Sequence, residues 1–151
     1  GGAHVNVQCA GRTPLLNAAQ RLNFPIIKKL VEAGADIKAR DAYKNTPFLL
    51  AARHNCECML KRMVALGADI KDVDAEGNNA LIAVVKKDDV LLDLNKIKTL
   101  LELRVDSAHK DAVEKTALEY IKTGRFINKA AAIELLEKAV ANSVTADCVL
   151  P

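Results

Sequence analysis

Aromatic side chains make up only 3% of this chain, and tryptophan is missing altogether. A core built without them must be assembled from Ala, Leu, Ile and Val, small and branched chains that suit thin helical layers packed at close range. The same shortage disfavours nucleic acid, whose single strands are held largely by base stacking on aromatic rings. A dominant charge is lacking too. The 22 Lys and Arg stand against 19 Asp and Glu, a formal +3, too mild to argue for nucleic acid on its own. No apolar run reaches the roughly 18 residues needed to span a bilayer, and no signal peptide opens the chain. The expectation is a cytoplasmic or nuclear protein with no membrane contact, monomeric when alone.

Cysteine and histidine are sparse. Cys9, Cys56, Cys58 and Cys148 read as small, partly buried hydrophobes of a reducing compartment. His54, Cys56 and Cys58 do not follow a zinc spacing and lack a second ligand pair, so no metal or other cofactor is expected. The chain has no G-x-S-x-G, no P-loop, no His-Glu-x-x-His and no dinucleotide-binding glycine motif. His4 and His109 fall in turns some three units apart, and the carboxylates are scattered over turns and outer helix faces. Nothing here assembles a nucleophile, a base and an orienting group, so no enzyme is expected.

What the chain does have is repetition. Gly11-Arg12-Thr13-Pro14-Leu15-Leu16-Asn17-Ala18-Ala19 returns, altered, as Lys44-Asn45-Thr46-Pro47-Phe48-Leu49-Leu50-Ala51-Ala52, a spacing of 33 residues. Gly34-Ala35-Asp36 returns as Gly67-Ala68-Asp69 at the same spacing. Two separate segments repeating in step mean one structural unit copied along the chain. Thr13 and Thr46 suit N-caps, and the Pro after each suits a first helical position, where its missing N–H costs nothing. A short Ala-rich helix follows, then a second with apolar residues at helical spacing: Ile26, Ile27, Leu30 and Val31, then Met59, Leu60, Met63 and Val64. Gly34 and Gly67 stop those helices, and Asp41, Asp74 and Asp111 open the next turns, where Asp can bond its own backbone.

These residues resemble the ankyrin-repeat signature, a turn followed by T-P-L-H-x-A and two antiparallel helices in about 33 residues. Asn79-Ala80-Leu81 and Thr116-Ala117-Leu118 match it more loosely. The expectation is an all-α solenoid of four units, 8–40, 41–73, 74–110 and 111–141, with a tail over 142–151. Residues 1–7 read as the end of a preceding repeat or a cloning remnant, since Gly2-Ala3-His4-Val5-Asn6 echoes Gly34-Ala35-Asp36-Ile37-Lys38 one residue out of register. Four departures matter. Arg104 stands where the earlier units have Gly, and must either accept a costly backbone conformation or bend the loop differently. The third unit carries about four extra residues between its helices, within 87–95, where Val90, Leu91, Leu92 and Leu94 are read as extending the second helix and packing inward. The fourth unit swells around Gly124 to Asn128. The family's His is replaced by Leu16, Leu49, Ile82 and Glu119, apolar packing except at Glu119, which is expected to face solvent.

The resemblance implies a concave recognition face made by turn tips and the exposed side of the first helices. Carried over, the tips are Cys9, Ala10, Arg12, Arg40, Ala42, Tyr43, Asn45, Val73, Ala75, Glu76, Asn78 and Lys110, and the first-helix positions are Gln20, Arg21, Arg53, His54, Lys86, Lys87 and Thr123. Arg21, His54 and Lys87 recur at 33 residues, as do Gln20, Arg53 and Lys86. Stacking brings each set into a column, a basic ladder suited to an acidic segment of a partner protein, with Tyr43 as anchor. The same Lys and Arg also suit helix C-termini and solubility, and the two readings weigh equally. The function expected is a non-catalytic protein-binding module: scaffold, adaptor or targeting domain. The alternatives are a regulatory segment of a larger enzyme or effector, or recognition of a phosphorylated ligand by the ladder.

Overall fold

A computed structural model describes residues 5–54, 57–86 and 91–148, with side chains through residue 142. Its helices are α1 (Pro14–Gln20), α2 (Phe24–Glu32), α3 (Pro47–Arg53), α4 (Glu57–Ala65), α5 (Ala80–Lys86), α6 (Leu94–Glu102), α7 (Ala117–Thr123) and α8 (Lys129–Cys148). They pair as four hairpins, α1/α2, α3/α4, α5/α6 and α7/α8. The first helices stack on one another in the order α1, α3, α5, α7, and α4, α6 and α8 stack in a second row. The architecture is the expected all-α solenoid.

Each first helix starts at a short polar cap. The Thr13, Thr46 and Thr116 hydroxyls accept from the backbone N–H of Leu16, Leu49 and Glu119, each at 3.3 Å, and Asn79 Oδ1 accepts from Ile82 N–H at 3.0 Å. Glu119 returns the bond to Thr116 N–H at 2.8 Å, closing a capping box on the solvent face of the last unit. Leu16, Leu49 and Ile82 are buried where the family has His, as expected. The two middle first helices are the most enclosed: every residue of α3 but Arg53 and every residue of α5 but Lys86 is buried, whereas α1 and α7 keep an exposed face. The core is Leu, Ile, Val and Ala, extended by Phe48, Met59 and Met63. Each large apolar side chain removed from water contributes about 1.5–3 kcal/mol. The second helices bury a narrower stripe. Ile27 is buried, but Ile26 is exposed, so the apolar spacing overstated that stripe by one residue.

The second helices end on a left-handed residue. Gly34 (φ 96°) and Gly67 (φ 99°) are followed by Arg104 at φ 65°, so the third unit keeps the turn and Arg104 carries its strain. The extra residues of that unit do fall between its helices, α5 ending at Lys86 and α6 starting at Leu94. They do not lengthen α6. Leu92 is buried and Leu94 half-buried, while Leu91 is exposed; Val90 lies outside the described residues. Leu92 is clamped by Asn128, whose side chain accepts from Leu92 N–H at 3.0 Å and donates to Leu92 C=O at 2.7 Å. The swellings of the third and fourth units are therefore fastened to each other. At Gly124 the constraint is closeness: an added Cβ would strike the Phe126 ring and lie 2.9 Å from the Tyr120 carbonyl oxygen. The last helix runs through residues 142–148, expected to be a tail. Cys9 and Cys58 are in no disulfide and are exposed rather than partly buried; Cys56, and the side chain of Cys148, lie outside the described residues.

Candidate functional site

The site begins with three aspartates. Asp41 Oδ1 accepts from the N–H of Tyr43 and Asn45, each at 2.9 Å, Asp74 Oδ1 from Glu76 and Asn78 at 2.9 and 3.0 Å, and Asp111 Oδ1 from Val113 and Lys115 at 3.0 and 3.1 Å. Each carboxylate thus builds the tight turn of its tip, as its place in the sequence suggested. The turns also bond to their neighbours through the main chain. Ala75 N–H donates to Tyr43 C=O at 2.9 Å, and Ala112 N–H to Glu76 C=O at 3.0 Å.

The second oxygen of each aspartate faces the column made by residues 20, 53 and 86. Arg53 donates to Asp74 Oδ2 at 2.7 Å, and Lys86 lies 3.9 Å from Asp111 Oδ2. At the first joint Gln20 holds Arg12, which lies 3.8 Å from Asp41 Oδ2. Tyr120 completes the last joint, its hydroxyl donating to Asp111 Oδ2 at 2.5 Å. Burial pushes the Asp111 carboxyl upward, but the Tyr120 hydroxyl, the two turn N–H groups and the charge of Lys86 outweigh it and hold it below the usual carboxylate range. That same bond, with burial, raises the Tyr120 hydroxyl above its ordinary value. Lys86 also donates to Glu76 Oε2 at 2.7 Å and Asn78 Oδ1 at 3.3 Å. The bond to Glu76 raises the Lys86 ammonium, and Lys86 together with Asn78 holds Glu76 low.

Between the tips and the first helices lies a groove of about 630 Å³. It brings together Arg12, Tyr43, Asn45, Arg53, His54, Glu76 and Lys86 from the expected site, with Leu50, Ala75 and Ala83 as apolar lining. Tyr43 is 69% exposed at its rim. Other expected contacts sit elsewhere or do different work. Arg40 is not a lining residue. It donates to Lys44 C=O at 3.0 Å, Val73 C=O at 2.8 Å and Asp72 Oδ1 at 3.1 Å, tying two tips together. Asn45 and Asn78 are buried because their amides brace Asp41 and Asp74. Arg21 is exposed at the C-cap of α1, outside the groove lining, and Lys87 lies outside the described residues. The ladder as a free positive strip is thus corrected: Arg12, Arg53 and Lys86 face carboxylates of the same chain. The sequence reading missed Asp74, Asp111 and Tyr120 as their counterparts. A signal existed, since Arg53 precedes Asp74 by 21 residues and Gln20 precedes Asp41 by the same interval.

Among the described residues no three His, Cys, Asp or Glu side chains are grouped to hold a metal, and no helix is long and apolar enough to cross a membrane. Stacked helical hairpins with capped first helices and hydrogen-bonded tips define a repeat protein. The family model described as ankyrin repeats (3 copies) matches residues 1–74, and helical hairpins stacked in the same way continue beyond it to α8; residues 1–74 are ankyrin repeats, and the whole described stack has the all-α architecture of an ankyrin-type solenoid. No curated protein matches the chain in sequence. Ankyrin repeats are in general protein–protein interaction modules, and the fold typically serves without catalysis.

Proposed function

We propose that this chain is a non-catalytic recognition module that holds a segment of a partner protein in the groove between its tips and first helices. The observation that carries the reading is the groove itself, where Tyr43 stands exposed beside a mixed lining of Leu50, His54, Ala75 and Glu76. An exposed aromatic at the edge of a part-apolar concavity is the arrangement in which a few residues dominate affinity. A non-catalytic reading is supported by the structural work of the three tip aspartates: Asp41, Asp74 and Asp111 are committed to backbone N–H groups and to the next unit. Scaffold, adaptor and targeting roles all follow from such a grip.

Reversing Arg53 and Lys86 to Glu is a poor test, because each new carboxylate would sit against Asp74 or Asp111 and loosen a joint. Tyr43→Ala is cleaner. Peptides selected on the intact chain from a displayed random library should lose about tenfold or more in affinity for Tyr43→Ala. Lys61→Glu on α4, outside the groove lining, should bind as the parent does. Equal affinity for all three proteins would remove the groove from the account.

A further inference from the structure

The groove holds a carboxylate already. Four carboxylates face its cations, and three are immobile: the side chains of Asp41, Asp74 and Asp111 are between 1% and 5% exposed and fixed by turn N–H groups. Glu76 differs. Its side chain is 70% exposed, and its Oε2 is held by Lys86 Nζ at 2.7 Å and Asn78 Nδ2 at 3.2 Å. Its main chain is held independently, N–H on Asp74 and C=O on Ala112 N–H, so the tip keeps its shape wherever the side chain goes. Both donors stay in place without it. Lys86 is kept over the Tyr120 ring at 5.4 Å and near Asp111, and Asn78 remains on Asp74. The result is a fixed pair of donors, one charged, filled by a side chain that can swing into water.

We propose that Lys86 Nζ and Asn78 Nδ2 form a subsite for a Glu or Asp side chain of the partner segment, and that Glu76 occupies it in the free protein as an internal competitor. This rests on the groove reading above and names the chemistry of what the groove takes. It also explains how a groove whose cations are all paired can still select an acidic partner. One carboxylate replaces another, the charge balance around Lys86 and Asp111 is preserved, and no cation is left bare. The competitor sets a threshold: a partner must supply the carboxylate together with further contacts, such as those of Tyr43, before exchange is favourable. An unattached small carboxylate lacks them and competes poorly against a tethered one.

The test uses the tightest peptide selected by display on the intact chain. It should carry Glu or Asp, and Glu→Gln or Asp→Asn in the peptide should weaken it. Glu76→Ala removes an exposed side chain and leaves the tip's backbone bonds, so it should fold as the parent does. It should bind the acidic peptide about twofold to fivefold more tightly, the range of one exposed ion pair. A second reading comes from ¹³C titration of the Glu76 carboxyl, which sits low in the free protein; saturation with peptide should move it upward to the ordinary carboxylate range. Binding that needs Tyr43 but is unchanged in Glu76→Ala, with an unmoved Glu76 titration, overturns the exchange and leaves the groove reading standing. Binding indifferent to both Tyr43 and Glu76 overturns both. Displacement of Glu76 by inorganic phosphate at concentrations where the acidic peptide fails would overturn the carboxylate reading in favour of a phosphorylated ligand.

Discussion

At the level of single residues, the repeat shows where identity is dictated by backbone and where it has drifted. The helix-ending position is Gly in the first two units and Arg104 in the third, all with positive φ. The bonds are the same in each: Gly34 and Ala35 N–H reach Val31 and Leu30 C=O, and Arg104 and Val105 N–H reach Leu101 and Leu100 C=O. A left-handed conformation costs a side-chain-bearing residue about 1–2 kcal/mol. Gly escapes that cost but loses about 0.5–1 kcal/mol more in backbone entropy. Arg104→Gly should therefore stabilise the fold by about 0.5–1 kcal/mol, raising Tm by about 2 °C. Thermal unfolding by circular dichroism reads this directly, and an unchanged or lower Tm would show that the Arg104 side chain contributes more than its strain removes.

At the level of elements, the connections differ while the helices hardly do. The α1–α2 and α3–α4 connections are short, whereas the third and fourth are longer and are pinned to each other by Asn128 on Leu92. Losing both bonds removes about 0.5–1.5 kcal/mol each. Asn128→Ala should speed hydrogen exchange at the Leu92 amide by roughly tenfold while amides within α3 keep their protection. Uniform acceleration across the stack would instead mean global destabilisation. Most helices were legible in the sequence because their signals are local: Thr-Pro starts, Ala-rich first helices and the Gly-Ala-Asp stops each act within one turn. The site was legible only in part, for the same reason. The resemblance to ankyrin repeats placed Arg12, Tyr43, Arg53, His54, Glu76 and Lys86 on one face, but it could not show what faces them. Arg53 meets Asp74 and Lys86 meets Asp111 only when neighbouring units stack, so a row of charges that looked free turned out to be paired. Asn45 misled similarly, since a tip position was read as surface while its amide is buried against Asp41.

At the level of the whole molecule, pH acts on the joint between the third and fourth units. Asp111 titrates in the folded protein below its ordinary 3.8. Its contribution is therefore complete above pH 3.8 and is lost as pH falls through the lower folded value. Tyr120 titrates above its ordinary 10.0, so its contribution is complete below pH 10.0 and disappears as pH rises through the higher folded value. Asp72 opposes the acid trend, because burial raises its carboxyl despite Arg40, and the protonated form is the one the fold favours. Tyr120→Phe should cost about 1.5–3 kcal/mol at neutral pH, the value of a hydrogen bond to a charged group. It should also flatten the alkaline side of the stability profile measured by urea unfolding between neutral pH and pH 11. An alkaline slope equal to the parent's would assign that titration to another group.

The tips are fastened to one another by main-chain bonds, Ala75 to Tyr43 and Ala112 to Glu76, and these are indifferent to the side chains they carry. Positions 43 and 76 can therefore be rewritten to suit a new target without loosening the stack, and randomised libraries at those two sites should return mostly folded members. The column at 53 and 86 has no such freedom. Each change there alters what is bound and how firmly one unit adheres to the next, so engineering or natural drift toward a new specificity has an open route along the rim and a narrow one along the floor.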